Sequence, residues 1–264
     1  MSKTQASENR VGIVFPNNPR TRVPDTKVEP AKWVGQLRTT WPNGDISVGT
    51  ATLIGQKFVL TCAHNFFNAS TQQECKSAVF GPGFNRTAPP ESAAVAPFGT
   101  YELKGWKVPE DYVNRAAPTP SPDGILQDQM GLYLNDFAIG ELQTWARPDL
   151  DRSSFVVNGL ALANGQGCHI NGYSGDLDNS SHTQYTRSGP VQLDEGQDFV
   201  TYQMSTSRGD SGSPIYYKSA KGPYWNIVGV HVSGVADVGN PANGFNFGPW
   251  LVGDRLNWIL DHTA

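Results

Sequence analysis

Charge is scarce in this chain: only 17% of its 264 residues are Asp, Glu, Lys or Arg, and the net charge is −4. No Lys/Arg-rich run is present, so the electrostatic footprint of a nucleic-acid binder is missing. No apolar run reaches the length of a membrane-spanning helix, and a soluble protein with no membrane partner is expected. The first ten residues are polar and lack the apolar core of a signal peptide. There are only three cysteines, Cys62, Cys75 and Cys168, and an odd number leaves at least one thiol outside any internal pairing. Cys62 and Cys75 could close a short disulfide loop, or all three could be buried thiols acting as small apolar residues. Cys168-His169 stands apart from other ligand types and reads as strand residues, not a metal site. No glycine-rich loop that would cradle phosphate precedes a helix. No cofactor and no metal are expected.

Glycine (28) and proline (19) are abundant by contrast, which suits many short strands joined by tight turns. Residues 1–30 read as an extended arm broken by Pro16, Pro19 and Pro24. Short alternating segments then follow: Val34–Arg38, Ser47–Ile54, Lys57–Thr61, Tyr101–Val108 and Leu132–Leu142. The stretch Pro82–Pro122 is mostly loop, and the charged Ala146–Ser154 is the candidate link between two halves. The second half repeats the pattern in Phe155–Leu162, Gly167–Tyr173, His182–Leu193, Phe199–Met204, Pro214–Tyr217 and Trp225–Val232. The expected organisation is an arm (1–30), a first β unit (31–150) and a second (151–264), two stacked barrels or sandwiches. Near the end, Val252, Leu256, Ile259 and Leu260 fall at helical spacing, predicting a terminal helix packed on the second unit.

The stretch Thr206-Ser207-Arg208-Gly209-Asp210-Ser211-Gly212-Ser213-Pro214 has the residue types of a nucleophile in a sharp turn. Ser211 would present its hydroxyl to a carbonyl carbon, and Gly209 would let the backbone turn N–H groups toward the oxyanion that forms. Gly-Asp-Ser-Gly also occurs in ordinary turns, so the partners matter. A serine nucleophile needs a base, and the base needs an acid to hold its tautomer. His64 ends the β run Phe58–Cys62 in a polar turn, where it can reach across a cleft or stand as a satisfied core histidine. Asp136 enters the apolar run Leu132–Leu142, and burial there demands a donor unless it merely caps a surface strand. Asp111, Asp123 and Asp128 lie in loop-like sequence with no reason to be buried.

The order His64, Asp136, Ser211 and the flanking residues resemble the chymotrypsin-fold serine peptidases, over most of the chain from about residue 11. The resemblance implies an all-β fold of two antiparallel six-stranded β-barrels with a C-terminal helix. It implies roles too: His64 the general base, Asp136 its orienter, Ser211 the nucleophile, and the N–H groups of Gly209 and Ser211 the oxyanion hole. A closer similarity is to the glutamyl endopeptidase branch, carried by Ile13-Val-Phe-Pro-Asn-Asn18, Gly172-Tyr-Ser-Gly-Asp176, Ser213-Pro214 and Val228-Gly-Val-His-Val232, with Asn246-Phe-Gly248 a looser match. In that branch the residues at Thr206 and His231 bind an acidic side chain, and secretion and a zymogen stage are implied. A hydroxyl and an imidazole N–H can each donate to a carboxylate, although His231 on an alternating strand also reads as a core histidine.

Two departures stand out. Arg208 replaces the smaller residue common in the branch, and either joins the carboxylate site or faces solvent. Asp210 stands where close members can carry Asn; in trypsin-like relatives an aspartate there is paired by a freshly cleaved N-terminal amine. A cut after Arg10 could supply that amine. A cut at Gly12–Ile13 would instead bring the amine to the substrate acid, and a third alternative leaves the arm whole. The reading is a monomeric serine endopeptidase acting on polypeptide substrates after Glu, with Asp as the other acid. The rivals are a serine peptidase of different primary specificity and a non-catalytic binding protein of the same fold.

Overall fold

The computed structural model describes residues 12–86, 94–115, 127–178, 181–194, 196, 198–235 and 244–264. Arg10-Val11 and Pro118–Pro122 lie outside them. The chain is mostly β. In the first half, β1 (Val34–Thr40), β2 (Ile46–Ile54), β3 (Phe58–Thr61), β4 (Ser77–Pro82), β5 (Tyr101–Lys107) and β6 (Ala138–Leu142) form a closed antiparallel barrel in the order β5-β6-β3-β2-β1-β4. Leu37, Leu53, Leu60, Phe80 and Ile139 alternate inward and are buried together. Strand β4 was not anticipated, because its segment merges with the proline- and glycine-rich stretch that follows. It is the strand that closes the ring, pairing with β1 on one side and β5 on the other.

The predicted strand Leu132–Leu142 is two elements. Helix α1 spans Gln127–Leu134, and β6 begins only at Ala138. Short apolar runs do not fix their own period, and here burial of both Leu132 and Tyr133 favours a helix end over alternation. The break puts Asp136 in a tight turn, where its N–H bonds to Tyr133 O at 3.2 Å.

In the second half, β7 (Phe155–Val157), β8 (Gly167–Gly172), β9 (Tyr185–Asp194), β10 (Phe199–Tyr202), β11 (Pro214–Lys218), β12 (Trp225–Val230), β13 (Ser233–Val235) and β14 (Phe245–Pro249) run in the order β7-β12-β11-β8-β9-β10-β14-β13. Thr21–Arg22 adds a ninth strand beside β9. This sheet curls around its own core of Ile170, Val191, Val200, Ile215 and Val228. It is not a ladder closed like the first. Where β12 and β14 come together, the seam carries the isolated bridge Gly229–Trp250 and the Leu251 N–H to Val228 O bond at 2.9 Å, both just past the end of β14, in place of a named ladder. Pro249 has no N–H to donate, so the seam cannot run on as a regular ladder there.

Helix α2 (Gly253–Asp261) is the expected terminal helix, but its contacts differ from those expected. Ile259 is buried and Trp258 packs edge-on against Phe137 of the first half at 5.3 Å, while Leu260 stays exposed. The cysteines are all buried, and no disulfide joins them.

Candidate active site

Strand β3 ends in a 3-10 turn at Ala63–Asn65, and this turn carries His64. Fully buried Asp136 accepts the His64 backbone N–H at 2.9 Å through Oδ1, and its Oδ2 lies 2.7 Å from Nδ1. An ionised carboxylate only accepts, so the ring proton belongs on Nδ1 and the lone pair on Nε2. Two donors offset the cost of burying the acid, and they fix the ring's orientation as well as its tautomer. Cys62 Sγ lies 3.4 Å from Nε2, so Cys62, His64 and Asp136 bring metal-ligand types within 4.8 Å of one another. Asp136 already spends both oxygens on His64. One sulfur and one imidazole nitrogen remain, fewer than the three or four protein ligands of a zinc site.

Ser211 stands in a turn between β10 and β11. Gly209 has φ +88°, and a Cβ there would lie 2.2 Å from Tyr173 O, so only glycine fits. The turn satisfies some of its N–H groups internally: Asp210 N–H to Ser207 O (3.1 Å), Gly212 N–H to His231 O (2.8 Å) and Ser213 N–H to Asp210 O (2.9 Å). The N–H groups of Gly209 and Ser211 make no hydrogen bond among the described residues. The carbonyls of the same two residues are held by the first barrel. Thr50 N–H donates to Ser211 O at 2.8 Å, Thr50 Oγ1 to Gly209 O at 2.8 Å and Asn65 Nδ2 to Ser211 O at 3.2 Å. Anchoring these oxygens fixes the serine turn against the first barrel while the N–H groups of Gly209 and Ser211 stay unengaged. Ser211 Oγ makes no hydrogen bond to His64 in this state; such contacts often tighten only when substrate closes the site.

Behind the serine turn lies the Gly172–Asp176 turn. Tyr173 OH donates to Phe84 O at 2.8 Å, Gly175 N–H donates to Arg208 O at 2.7 Å, and Ser174 Oγ donates to Asp210 Oδ2 at 2.7 Å. Arg20 forks onto Asp176 with two 2.6 Å bonds, and the Ser207 hydroxyl donates to the same carboxylate. Burial pushes Asp176 up, but Arg20 and Ser207 outweigh it and leave the acid below its ordinary range.

Beside the turn, Thr206 and His231 are buried. His231 Nδ1 lies 2.7 Å from Tyr202 OH. Desolvation first, then the charge of Arg187 and the proximity of His64, push the imidazole well below its ordinary value, so it is neutral at pH 7. Thr206 Oγ1 is buried without a hydrogen-bond partner. The described part of the arm is docked here from Gly12 onward. Thr206 N–H donates to Ile13 O at 3.0 Å, Asn246 Oδ1 accepts Ile13 N–H at 2.7 Å, and Gly12 packs directly on the Thr206 side chain. Arg208 is exposed, in contrast to buried Thr206 and His231. Asp111 lies in a short helical turn, Glu110–Val113, and the side chains of Asp123 and Asp128 lie outside the described residues.

Several residues were not singled out from sequence: Thr50, Asn65, Ser174, Tyr202 and Arg187. Their common signal is a polar side chain at an inward position of an apolar strand, or just beyond its end, which burial then forces into a specific bond.

No family model matches the chain. It is 25% identical over 254 residues to a glutamyl endopeptidase of Bacillus licheniformis, covering 93% of this chain and 68% of that one. Among solved structures, a Glu endopeptidase in complex with MPD superposes with a TM-score of 0.72 at 23% identity, covering 95% of this chain and 99% of the other. Protease Anisep from Arthrobacter nicotinovorans superposes with a TM-score of 0.63 at 17% identity, covering 88% and 93%. The resemblance read from the sequence is borne out.

Proposed function

We propose, from the premise that the chain is a chymotrypsin-fold serine protease homologous to a glutamyl endopeptidase, that it hydrolyses peptide bonds after Glu, with Asp the second choice. The observation that carries the chemistry is the fixed His64–Asp136 pair, standing on the first barrel beside a serine turn with two unengaged N–H groups. Ser211 Oγ attacks the scissile carbonyl while His64 Nε2 takes its proton. The oxyanion is received by the Gly209 and Ser211 N–H groups, and the imidazolium is stabilised by Asp136. His64 then protonates the leaving amine, and water, activated by the same imidazole, releases the acyl group from Ser211.

Specificity for an acid rests on Thr206 and His231. A Tyr202 hydroxyl that donates to Nδ1 leaves the His231 proton on Nε2, where a neutral imidazole can donate to a carboxylate. The Thr206 hydroxyl is unsatisfied and therefore able to give a second bond. Arg208, being exposed, would act at the rim through long-range attraction. Cleavage at Gly12–Ile13 would remove the residue packed on Thr206 and leave an amine beside the same pocket, which supports processing as the step that opens the acid site. Secretion, a zymogen stage and a monomeric state belong to the same proposal.

The test is turnover of matched chromogenic peptides with Glu or Gln before the scissile bond, beside a Ser211→Ala control. Cleavage of Glu at least 100-fold better than Gln, by the wild type alone, is expected. Equal rates would keep the peptidase and remove the roles given to Thr206 and His231.

A further inference from the structure

Asp210, immediately before the nucleophile, is fully buried and ionisable, and the catalytic steps above do not use it. A buried carboxylate needs a cation or several donors, and here it has both. Oδ2 accepts Ser174 Oγ at 2.7 Å and the Ser207 N–H at 2.9 Å. Oδ1 faces Arg187 Nη2 at 3.0 Å, and both side chains have no exposed surface. The contact is electrostatic, since neither atom has the alignment of a hydrogen bond. Arg187 comes from β9, opposite Ile170 of β8, and the arm segment that pairs with β9, Thr21–Arg22, lies downstream of either cut and stays with the chain. Gly172 makes the approach possible: a Cβ there would stand 2.5 Å from Asp210 Oδ1.

We propose that Arg187 is the resident cation for Asp210, holding the serine turn in its oxyanion-binding shape before any N-terminal processing. The inference rests on the serine-protease reading and assigns Arg187 a positioning role within it. A cleaved amine at Val11 would then meet a carboxylate whose charge is already balanced, Oδ2 by two donors and Oδ1 by the facing Arg187 guanidinium. Processing at Gly12–Ile13 bears instead on the acid pocket, where Gly12 covers Thr206. Either cut leaves Arg20, Asp176 and Arg187 in place, so the oxyanion turn keeps its supports, while the cut at Gly12–Ile13 takes Gly12 from the acid pocket.

A pH consequence follows. An α-amino group loses its charge near pH 8, whereas a guanidinium keeps it beyond pH 12. The other titratable groups facing Arg187 are Tyr202 on β10, Tyr216 on β11 and His231 after β12. Burial pushes both tyrosines well up and the histidine well down, so none changes charge between pH 7 and 10. The titratable groups around the pair therefore keep their charge across that range.

The experiment uses p-nitrophenyl acetate, a small ester that needs the serine, the base and the oxyanion hole but no acidic side chain. Acylation is measured on the full chain and on the chain after removal of residues 1–12, from pH 7 to 10. The expected result is equal rates in the two forms within about twofold, with no loss toward pH 10. Arg187→Met should slow acylation about 100-fold, the scale of losing an oxyanion donor. Arg187→Met with Asp210→Asn, which leaves no unpaired buried charge, should recover to within about tenfold of wild type. Arg187→Lys should add an alkaline decline near the lysine pKa of about 10, a readout that a purely structural role would not produce. If Arg187→Met does not fold by near-ultraviolet circular dichroism, the lysine profile decides the matter.

An inert full chain beside an active trimmed one would overturn the inference, as would Arg187→Met acylating within threefold of wild type. A lysine variant with the flat wild-type profile would overturn it as well. Failure of the wild type to acylate in either form refutes the serine-protease reading itself and this inference with it.

Discussion

Replacing Asp136 by Asn preserves side-chain volume and changes one atom from acceptor to donor. Both groups that Asp136 holds are donors, the His64 backbone N–H at 2.9 Å and the ring Nδ1–H at 2.7 Å. An amide has one oxygen to share between them. With its oxygen on the obligatory backbone donor, its NH₂ faces Nδ1, which must then accept. The ring proton moves to Nε2, and the base can no longer take a proton from Ser211. The opposite flip sets NH₂ against backbone N–H inside a fully buried site and leaves a donor unsatisfied, at about 1–3 kcal/mol. The first orientation therefore wins, and kcat should fall about 10⁴-fold, or ~5.5 kcal/mol of transition-state stabilisation. The variant should remain folded, with KM for the Glu substrate little changed, because Thr206 and His231 are untouched. The assay is steady-state turnover of the Glu chromogenic peptide, with thermal unfolding as the folding control. A folded Asp136→Asn enzyme retaining kcat within tenfold of wild type would refute the tautomer argument.

Two further outcomes follow from buried titratable groups. His231 is held neutral, with its folded pKa well below the unfolded value of about 6.5, so as pH falls through 6.5 the unfolded chain gains a proton that the native one refuses. Stability should drop there by up to about 1.4 kcal/mol per pH unit from this group, and His231→Gln should flatten urea-unfolding slopes by about one proton between pH 7.5 and 5; identical slopes would count against it. Desolvation pushes the Cys75 and Cys168 thiols up to about 12, leaving on the order of one molecule in 10⁴ ionised at pH 8. In a Cys62→Ser background a thiol-disulfide dye should label neither thiol in an hour under native conditions and two after unfolding. Stoichiometric native labelling would show that these residues are not buried as described.

Local chemistry was enough to read much of the plan. Alternation and turn residues marked β1, β2, β3, β5 and most strands of the second half, because one face of each is buried and the side-chain period is two. Glycine at 209 was recognisable because a serine turn of this kind needs a positive φ. Where residue types are dual-purpose the sequence fell short. Leu132–Leu142 carries no period of its own, and only packing of Leu132 and Tyr133 ended the helix and left Asp136 in a turn. Strand β4 was hidden because its neighbours are proline and glycine, and its pairing partners lie more than 20 residues away.

The amino-acid sequence by itself determined which residues could serve as nucleophile, base, acid and carboxylate donors, since those abilities belong to the side chains. Tertiary structure alone decided which of them meet. Asp136 reaches His64 across 72 residues, Thr50 and Asn65 pin the serine turn from the other barrel, and Arg187 answers Asp210 inside a closed interior. These are consequences of burial: a polar group carried into a core must find a partner there, and which partner is within reach depends on how distant strands are stacked.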